Sequence, residues 1–316
     1  SRRSVGTLNA FLIQYKGTEK HDIKMLLILG ILNYLKTNTM KKLLHFLLFF
    51  PIVCLGQNSE ESKQTAKNFY SSGEVKDSLE NFKGAIADYT KAIELDPDYY
   101  QAYAYRAIAK ARLSDLNGAI SDFTKAIELK PDSEISYGNR GLTKYYLEDY
   151  EGAITDYTKA IELNPGNYSD YLKRGQSKRN LMSNADYPGA ISDFTKAIEL
   201  KPNDLVAYNI RASTRLKTRD FYGVIDDCNK ILELDPVDYF AYSMRGSAKS
   251  LLKDHYGAIA DYTKMIELRP NREIAYGERG NSKYQLGDLN GACKDWSKAA
   301  SISGRGLIEW KRELCN

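Results

Sequence analysis

The stretch from Asp149 to Pro165 recurs, with light changes, along most of the chain and constrains its fold more than any other feature. The glycine of its Gly-Ala-Ile core returns at Gly84, Gly118, Gly152, Gly189, Gly223, Gly257 and Gly291, at spacings of 34, 34, 37, 34, 34 and 34 residues. The closing proline keeps step at Pro97, Pro131, Pro165, Pro202, Pro236 and Pro270. A fixed period in this range means a stack of like units, each burying its apolar face against its neighbours. The 316 residues are therefore expected to form one all-α array in place of two globular domains.

Each unit reads as two helices. Asn81, Asp115, Asp149, Asp186, Asp220, Asp254 and Asp288 stand three residues before the glycine, and Asn and Asp accept from the orphan N–H groups of a helix start. Tyr150, Ile154, Tyr157 and Ile161 follow at helical spacing. Pro165 ends the segment and biases Asn164 towards extended backbone. The spacing predicts helices over about 137–147 and 150–163. The first helix carries a small residue at Gly73, Ala107, Gly141, Gly175, Ala212, Gly246 or Gly280. Glycine within a helix costs about 1 kcal/mol relative to alanine, so its recurrence points to close helix–helix approach. Ala85, Ala119, Ala153, Ala190, Ala258 and Ala292 read as the matching small residues of the second helix.

On the aromatic–small pair Tyr137 and Gly141, with Ala153, Tyr157, Ala160 and Pro165, the chain resembles a tetratricopeptide-repeat protein over residues 65–300, in seven units. The resemblance implies a right-handed α-solenoid whose first helices line a groove for a peptide or helix of a partner. Two departures are local. The fourth unit has three extra residues between Leu181 and Asp186, and Cys228 replaces the large aromatic seen at Tyr157.

The ends of the chain differ from the array. Residues 1–39 show no repeat and are set aside as an upstream segment. From Met40, Lys41 and Lys42 precede the apolar run Leu43–Leu55, the design of a secretory signal peptide over 40–56 cleaved before Gln57. A buried or membrane-anchoring helix is the competing reading, and membrane contact is expected only through an uncleaved leader. Residues 57–64 read as a polar, flexible lead-in. Residues 301–316 read as a C-terminal cap, with Leu307, Trp310 and Leu314 on one stripe. The leader also accounts for the basic balance. Residues 1–56 hold eight Lys/Arg against two Asp/Glu, which leaves 37 basic and 39 acidic residues in 57–316. No basic surplus remains in the repeats for phosphate contacts, and nucleic acid is not an expected partner.

Two charged columns accompany the repeat. Arg106, Arg140, Arg174, Arg211, Arg245 and Arg279 precede the small residue, and Asp88, Asp122, Asp156, Asp193, Asp227, Asp261 and Asp295 lie on the second helices. Ser72 takes the Arg position in the first unit. Each Arg is expected to reach the Asp of the unit before it, as glue between repeats; a ladder of ligand-binding charges is the alternative. Among the cysteines, a bond between Cys293 and Cys315 is expected, with two buried thiols as the alternative, and Cys228 is expected to be a free buried thiol.

Catalytic chemistry finds little support. His255 is the only histidine after the leader, too few for a zinc site with scattered cysteines. No phosphate-binding glycine loop or nucleophile elbow is present. No catalytic residues, metal or cofactor are assigned. The expected function is a non-catalytic adaptor, exported to the periplasm or secreted, that binds a protein or peptide; a carbohydrate or cell-wall binder is the alternative. By resemblance the groove includes the column Tyr70, Ala104, Gly138, Leu172, Asn209, Ser243, Gly277 and the column four residues on, which contains Leu142. No unit has the lysine that starts the family's clamp for a terminal carboxylate. The candidate site is Tyr145, Tyr146, Arg179, Asn180, Asn209 and Lys217, an aromatic wall beside donors, with the turn Ser183–Asp186 as the fallback.

Overall fold

The computed structural model describes the backbone of residues 41–181, 186–304 and 309–315, and the side chains from residue 60 onward apart from 309 and 310. Among these residues there are fifteen helices and no strand. They are α1 (Lys41–Ser78), α2 (Phe82–Leu95), α3 (Tyr100–Arg112), α4 (Leu116–Leu129), α5 (Glu134–Tyr146), α6 (Tyr150–Leu163), α7 (Tyr168–Asn180) and α8 (Tyr187–Leu200). They continue with α9 (Leu205–Lys217), α10 (Phe221–Leu234), α11 (Tyr239–Leu251), α12 (His255–Leu268), α13 (Glu273–Gln285), α14 (Leu289–Ser303) and α15 (Glu309–Cys315).

The chain divides at Thr65. The described part of the first unit, residues 41–65, is helical throughout. Residues 57–64 are thus helical. No described helix is long and apolar enough to cross a membrane.

The second unit, Ala66–Asn316, is an α-solenoid. From α3 to α14 each first helix packs on its second helix, and each second helix packs on the next first helix. First helices also meet one another at α3/α5, α5/α7, α9/α11 and α11/α13. The second-helix bounds agree with the sequence expectation at Tyr150–Leu163. The preceding first helix starts earlier than expected, at Glu134, because the Ser133 hydroxyl caps it by accepting from the Ser136 N–H.

The repeated glycine lies directly against the helix cap. The Asp or Asn at each second-helix start accepts from the glycine N–H at 2.8–3.1 Å. The capping carboxyl folds onto that glycine so closely that a Cβ at Gly152 would overlap Asp149 Oδ2. The turn before it has its own requirement. Glu80, Ser114, Glu148, Arg219 and Lys253 adopt left-handed backbone at φ of 58–65°, whereas Gly287 supplies glycine for the same role. In the third unit the turn closes with Asp149 N–H donating to Lys144 C=O at 3.0 Å.

Within every pair but the fifth the small residue of the first helix faces an aromatic ring of the second. A Cβ on Gly73, Gly175, Gly246 or Gly280 would stand 2.5–2.8 Å from the rings of Tyr89, Phe194, Tyr262 or Trp296. These rings are fully buried. The close approach expected from sequence is therefore backbone against ring, and the alanines of the second helix are not its principal partners. In the fifth unit Ala212 and the fully buried Cys228 fill the corresponding space together. Burial pushes the Cys228 thiol up to about 12, so it is inert as a nucleophile at neutral pH.

The arginine ladder is wired differently from the sequence expectation. Arg140 grips Asp156 of its own unit through two bonds, Nε–H to Oδ2 at 2.9 Å and Nη2–H to Oδ1 at 2.7 Å. Its remaining arm, Nη1, donates to Thr124 Oγ1 of the preceding unit at 3.0 Å. The same link joins Arg106 to Thr90, Arg174 to Thr158, Arg211 to Thr195 and Arg279 to Thr263, with Asn229 taking the threonine's place opposite Arg245. The helix hairpin brings the aspartate opposite the guanidinium of its own first helix, which leaves one arm free to cross between repeats. A second cation, unforeseen from sequence, completes each carboxylate: Lys144 lies 2.8 Å from Asp156 Oδ2, and Arg215 serves Asp227. A planar fork satisfying a carboxylate and a hydroxyl together is a task for arginine and not lysine.

At the C-terminus α15 packs on α14, and Cys293 is bonded to Cys315. Lys311 covers the Trp296 ring at 4.6 Å and donates to Asn281 Oδ1 at 3.1 Å. Leu314 remains 37% exposed, so it does not bury an apolar stripe. The Leu307 and Trp310 side chains lie outside the described residues.

Candidate functional site

The neighbouring first helices α5 and α7 enclose a cleft of about 200 Å³. Glu134, Ile135, Gly138 and Leu142 of α5, Tyr157 of α6, and Asp170 and Lys173 of α7 are among its lining. Gly138 and Leu142 belong to the two groove columns expected from the resemblance. The absence of a side chain at Gly138 makes room for Asp170, whose Oδ1 lies 3.1 Å from where a Cβ on Gly138 would begin.

Asp170 is the unusual group here. It is 5% exposed, and its Oδ2 is buried with no hydrogen-bond partner in the protein. Loss of hydration, with a smaller push from the like charge of Glu134, raises its pKa from 3.8 to about 6. The Tyr157 hydroxyl is likewise buried without a protein partner. Burial, followed by the charge of Asp170, pushes that phenol up, so it keeps its proton. Glu134 is anchored by Asn164, whose Nδ2–H donates to Oε1 at 3.0 Å. The Lys173 ammonium sits over the Tyr145 ring, 5.5 Å from its centroid. The lining of the cleft thus combines a buried carboxyl and a buried phenol with the apolar side chains of Ile135 and Leu142.

The sequence-selected residues fall into three groups. Tyr145, Tyr146 and Asn180 come together: Asn180 Nδ2–H donates to Tyr145 Oη at 3.1 Å, and the two tyrosine rings meet edge to face at 5.9 Å. Tyr146 is 63% exposed and stands clear for contact. Arg179 turns towards α9, where Nη1–H donates to Ser213 Oγ at 3.3 Å, and Asn209 donates to Leu205 C=O of its own helix at 2.9 Å. Lys217 is exposed at the end of α9. Residues 182–185, which include most of the fallback turn, lie outside the described residues.

Sequence reasoning passed over Asp170, although a signal was present. Its column reads Asn68, Ala102, Ser136, Asp170, Ala207, Ala241 and Ala275. An acid among small residues at a buried helix position is a departure that packing does not require. The unpartnered Tyr157 hydroxyl was not legible, because the same column takes phenylalanine at Phe123 and Phe194 as readily.

Comparison with known proteins agrees with this architecture. Tetratricopeptide-repeat family models match residues 70–134, 135–167 and 241–272. No curated protein matches. Among solved structures, that of MamA protein is 25% identical, with 55% of this chain and 93% of that one covered and a TM-score of 0.52. The C-terminal part of a TPR repeat-containing protein from Cytophaga hutchinsonii is 17% identical, with coverage of 78% and 99% and a TM-score of 0.63. A tetratricopeptide repeat protein from Parabacteroides merdae is 20% identical, with coverage of 80% and 98% and a TM-score of 0.53. The last two likenesses concern the fold alone. With the helix hairpins, the small residue against the ring and the family matches in three segments, the chain is a tetratricopeptide-repeat protein.

Proposed function

We propose that the protein is a non-catalytic scaffold that holds an extended segment or a helix of a protein partner against its first helices. Proteins of this fold serve generally as interaction scaffolds. The observation that carries the reading for this chain is the cleft between α5 and α7, formed on first helices at the varied columns of Gly138 and Leu142. Beside it, Tyr146 offers an exposed aromatic anchor of the kind that dominates interface energetics. The Tyr145 ring, in contrast, is engaged by Lys173, Tyr146 and Tyr150.

The reading includes export. The lysine pair and apolar run from Met40 support it, as does the Cys293–Cys315 bond, since disulfides persist in oxidising compartments. N-terminal sequencing of material recovered outside the cytoplasm tests this, with Gln57 the expected first residue; recovery only in the cytoplasm with the leader attached refutes it.

The groove is tested with a photo-crosslinking residue at Tyr146, and a control at Tyr256, which is 77% exposed on the second helix α12. The expected result is one partner segment crosslinked at position 146, and lost when Arg179 and Asn209 are replaced together by alanine. Crosslinking only at position 256, or capture unchanged in a folded double variant, overturns the proposal.

A further inference from the structure

The Asp170 carboxyl is out of keeping with the economy of the repeat. Four other units place alanine in its column, so the fold needs no acid there. Burying a polar group without a hydrogen bond costs stability, and Asp170 Oδ2 has no partner in the protein. The aspartates paired with the arginine ladder, by contrast, are buried against two cations each, as Asp156 is against Arg140 and Lys144, and Asp88 meets Lys76 and the Ser72 hydroxyl. Asp170 has neither. The lining of its cleft includes one cation, Lys173, whose ammonium lies over the Tyr145 ring.

The buried Asp170 Oδ2 and Tyr157 hydroxyl favour a ligand of definite chemistry. An anion would meet Asp170 and Glu134, two like charges. A purely apolar group would leave Asp170 Oδ2 and the Tyr157 oxygen unsatisfied. A cationic side chain meets all three requirements: its N–H groups reach the carboxyl and phenol oxygens, its charge is offset by two acids, and its alkyl stem lies along Ile135 and Leu142.

We propose that the cleft between α5 and α7 receives a single cationic side chain, a lysine ammonium or an arginine guanidinium, from the bound partner segment, with Asp170 as its main acceptor. This rests on the reading of the first-helix face as the partner groove and adds which residue type the partner presents there. It also makes recognition sensitive to pH. The titratable groups that line the cleft with Asp170 are Glu134 from α5, Tyr157 from α6 and Lys173 from its own helix. With a carboxyl titrating near 6, the ionised fraction falls about tenfold between pH 7 and pH 5, and cation affinity falls with it.

The test uses the protein labelled with carbon-13 at its isoleucine and leucine methyls and small probes of the side-chain heads: n-butylammonium, n-butylguanidinium, n-butanol and butyrate. At pH 7 the two cations should give saturable shifts of Ile135 and Leu142 methyls, about tenfold weaker at pH 5, while butanol and butyrate give none. Asp170→Ala, which installs the residue already used by four other units, should abolish saturation while the remaining methyl spectrum is retained. Asp170→Asn should weaken cation binding and remove its pH dependence. Equal binding of butanol, cation binding unchanged in a folded Asp170→Ala protein, or no dependence on pH would overturn the proposal. Failure of the Tyr146 crosslink would refute the groove reading while leaving this probe result intact, and absence of probe binding with a positive crosslink would refute only the cation pocket.

Discussion

Replacing Asp170 by alanine should make the protein more stable, and increasingly so as pH rises. The carboxyl is 5% exposed and its pKa is raised from 3.8 to about 6 by burial first and Glu134 second. A folded-state pKa above the unfolded value means that the folded protein holds this proton more tightly. The group's contribution is therefore greatest below the unfolded value and is lost as pH rises through about 6. About two pKa units at 1.36 kcal/mol each give a penalty on the order of 3 kcal/mol once the folded carboxyl is ionised. Asp170 is the third residue of α7, where the helix dipole favours a negative charge by about 0.3–1 kcal/mol. That is too little to reverse the burial effect. The check is urea unfolding of the parent and Asp170→Ala proteins at pH 4 and pH 7.5, followed by circular dichroism. Hydrogen exchange of α7 amides should be read alongside, because repeat arrays do not always unfold in one step. The variant should gain on the order of 2–3 kcal/mol more at pH 7.5 than at pH 4. An equal difference at both pH values, or a less stable variant at pH 7.5, would refute the reasoning.

Further outcomes follow from the same geometry. Gly175→Ala should destabilise by about 1–2 kcal/mol, since its Cβ would stand 2.6 Å from the Phe194 ring, whereas Gly277→Ala, with open space around it, should gain about 0.5–1 kcal/mol from helix propensity; paired thermal melts compare the two. Lys253→Gly should stabilise by about 1 kcal/mol, because φ of 65° is strained for lysine, as a rise in Tm would register. Thr158→Val removes the acceptor of Arg174 Nη1 across two repeats and should lower stability by about 1 kcal/mol, with faster hydrogen exchange at the α6/α7 junction as its local sign. Reducing the Cys293–Cys315 bond, which closes 22 residues, should weaken the C-terminal helices by about 3 kcal/mol in the chain-entropy model; Cys228 should react with a thiol reagent only after unfolding.

The sequence by itself determined what depends on local, repeated chemistry. The period gave the array, the Asp149 and Pro165 columns gave the second-helix limits, and Gly175 with its equivalents marked places of close helix approach, although the ring opposite each was not foreseen. These were legible because every unit solves the same local problem, so one column reports one physical need several times over. Tertiary structure decided what depends on direction between helices. The same Arg and Asp columns are compatible with pairing within a unit or between units, and only the hairpin geometry shows Arg140 holding Asp156 while its free arm crosses to Thr124. Likewise the candidate residues Arg179 and Asn209 were chosen as free donors, but their rotamers turn them to Ser213 and Leu205. The Asp170 cleft lay between the two regimes. An acid in a column of small residues was visible in one dimension; that it is buried, lacks a partner and faces the gap left by Gly138 follows only from how α5 and α7 approach in space.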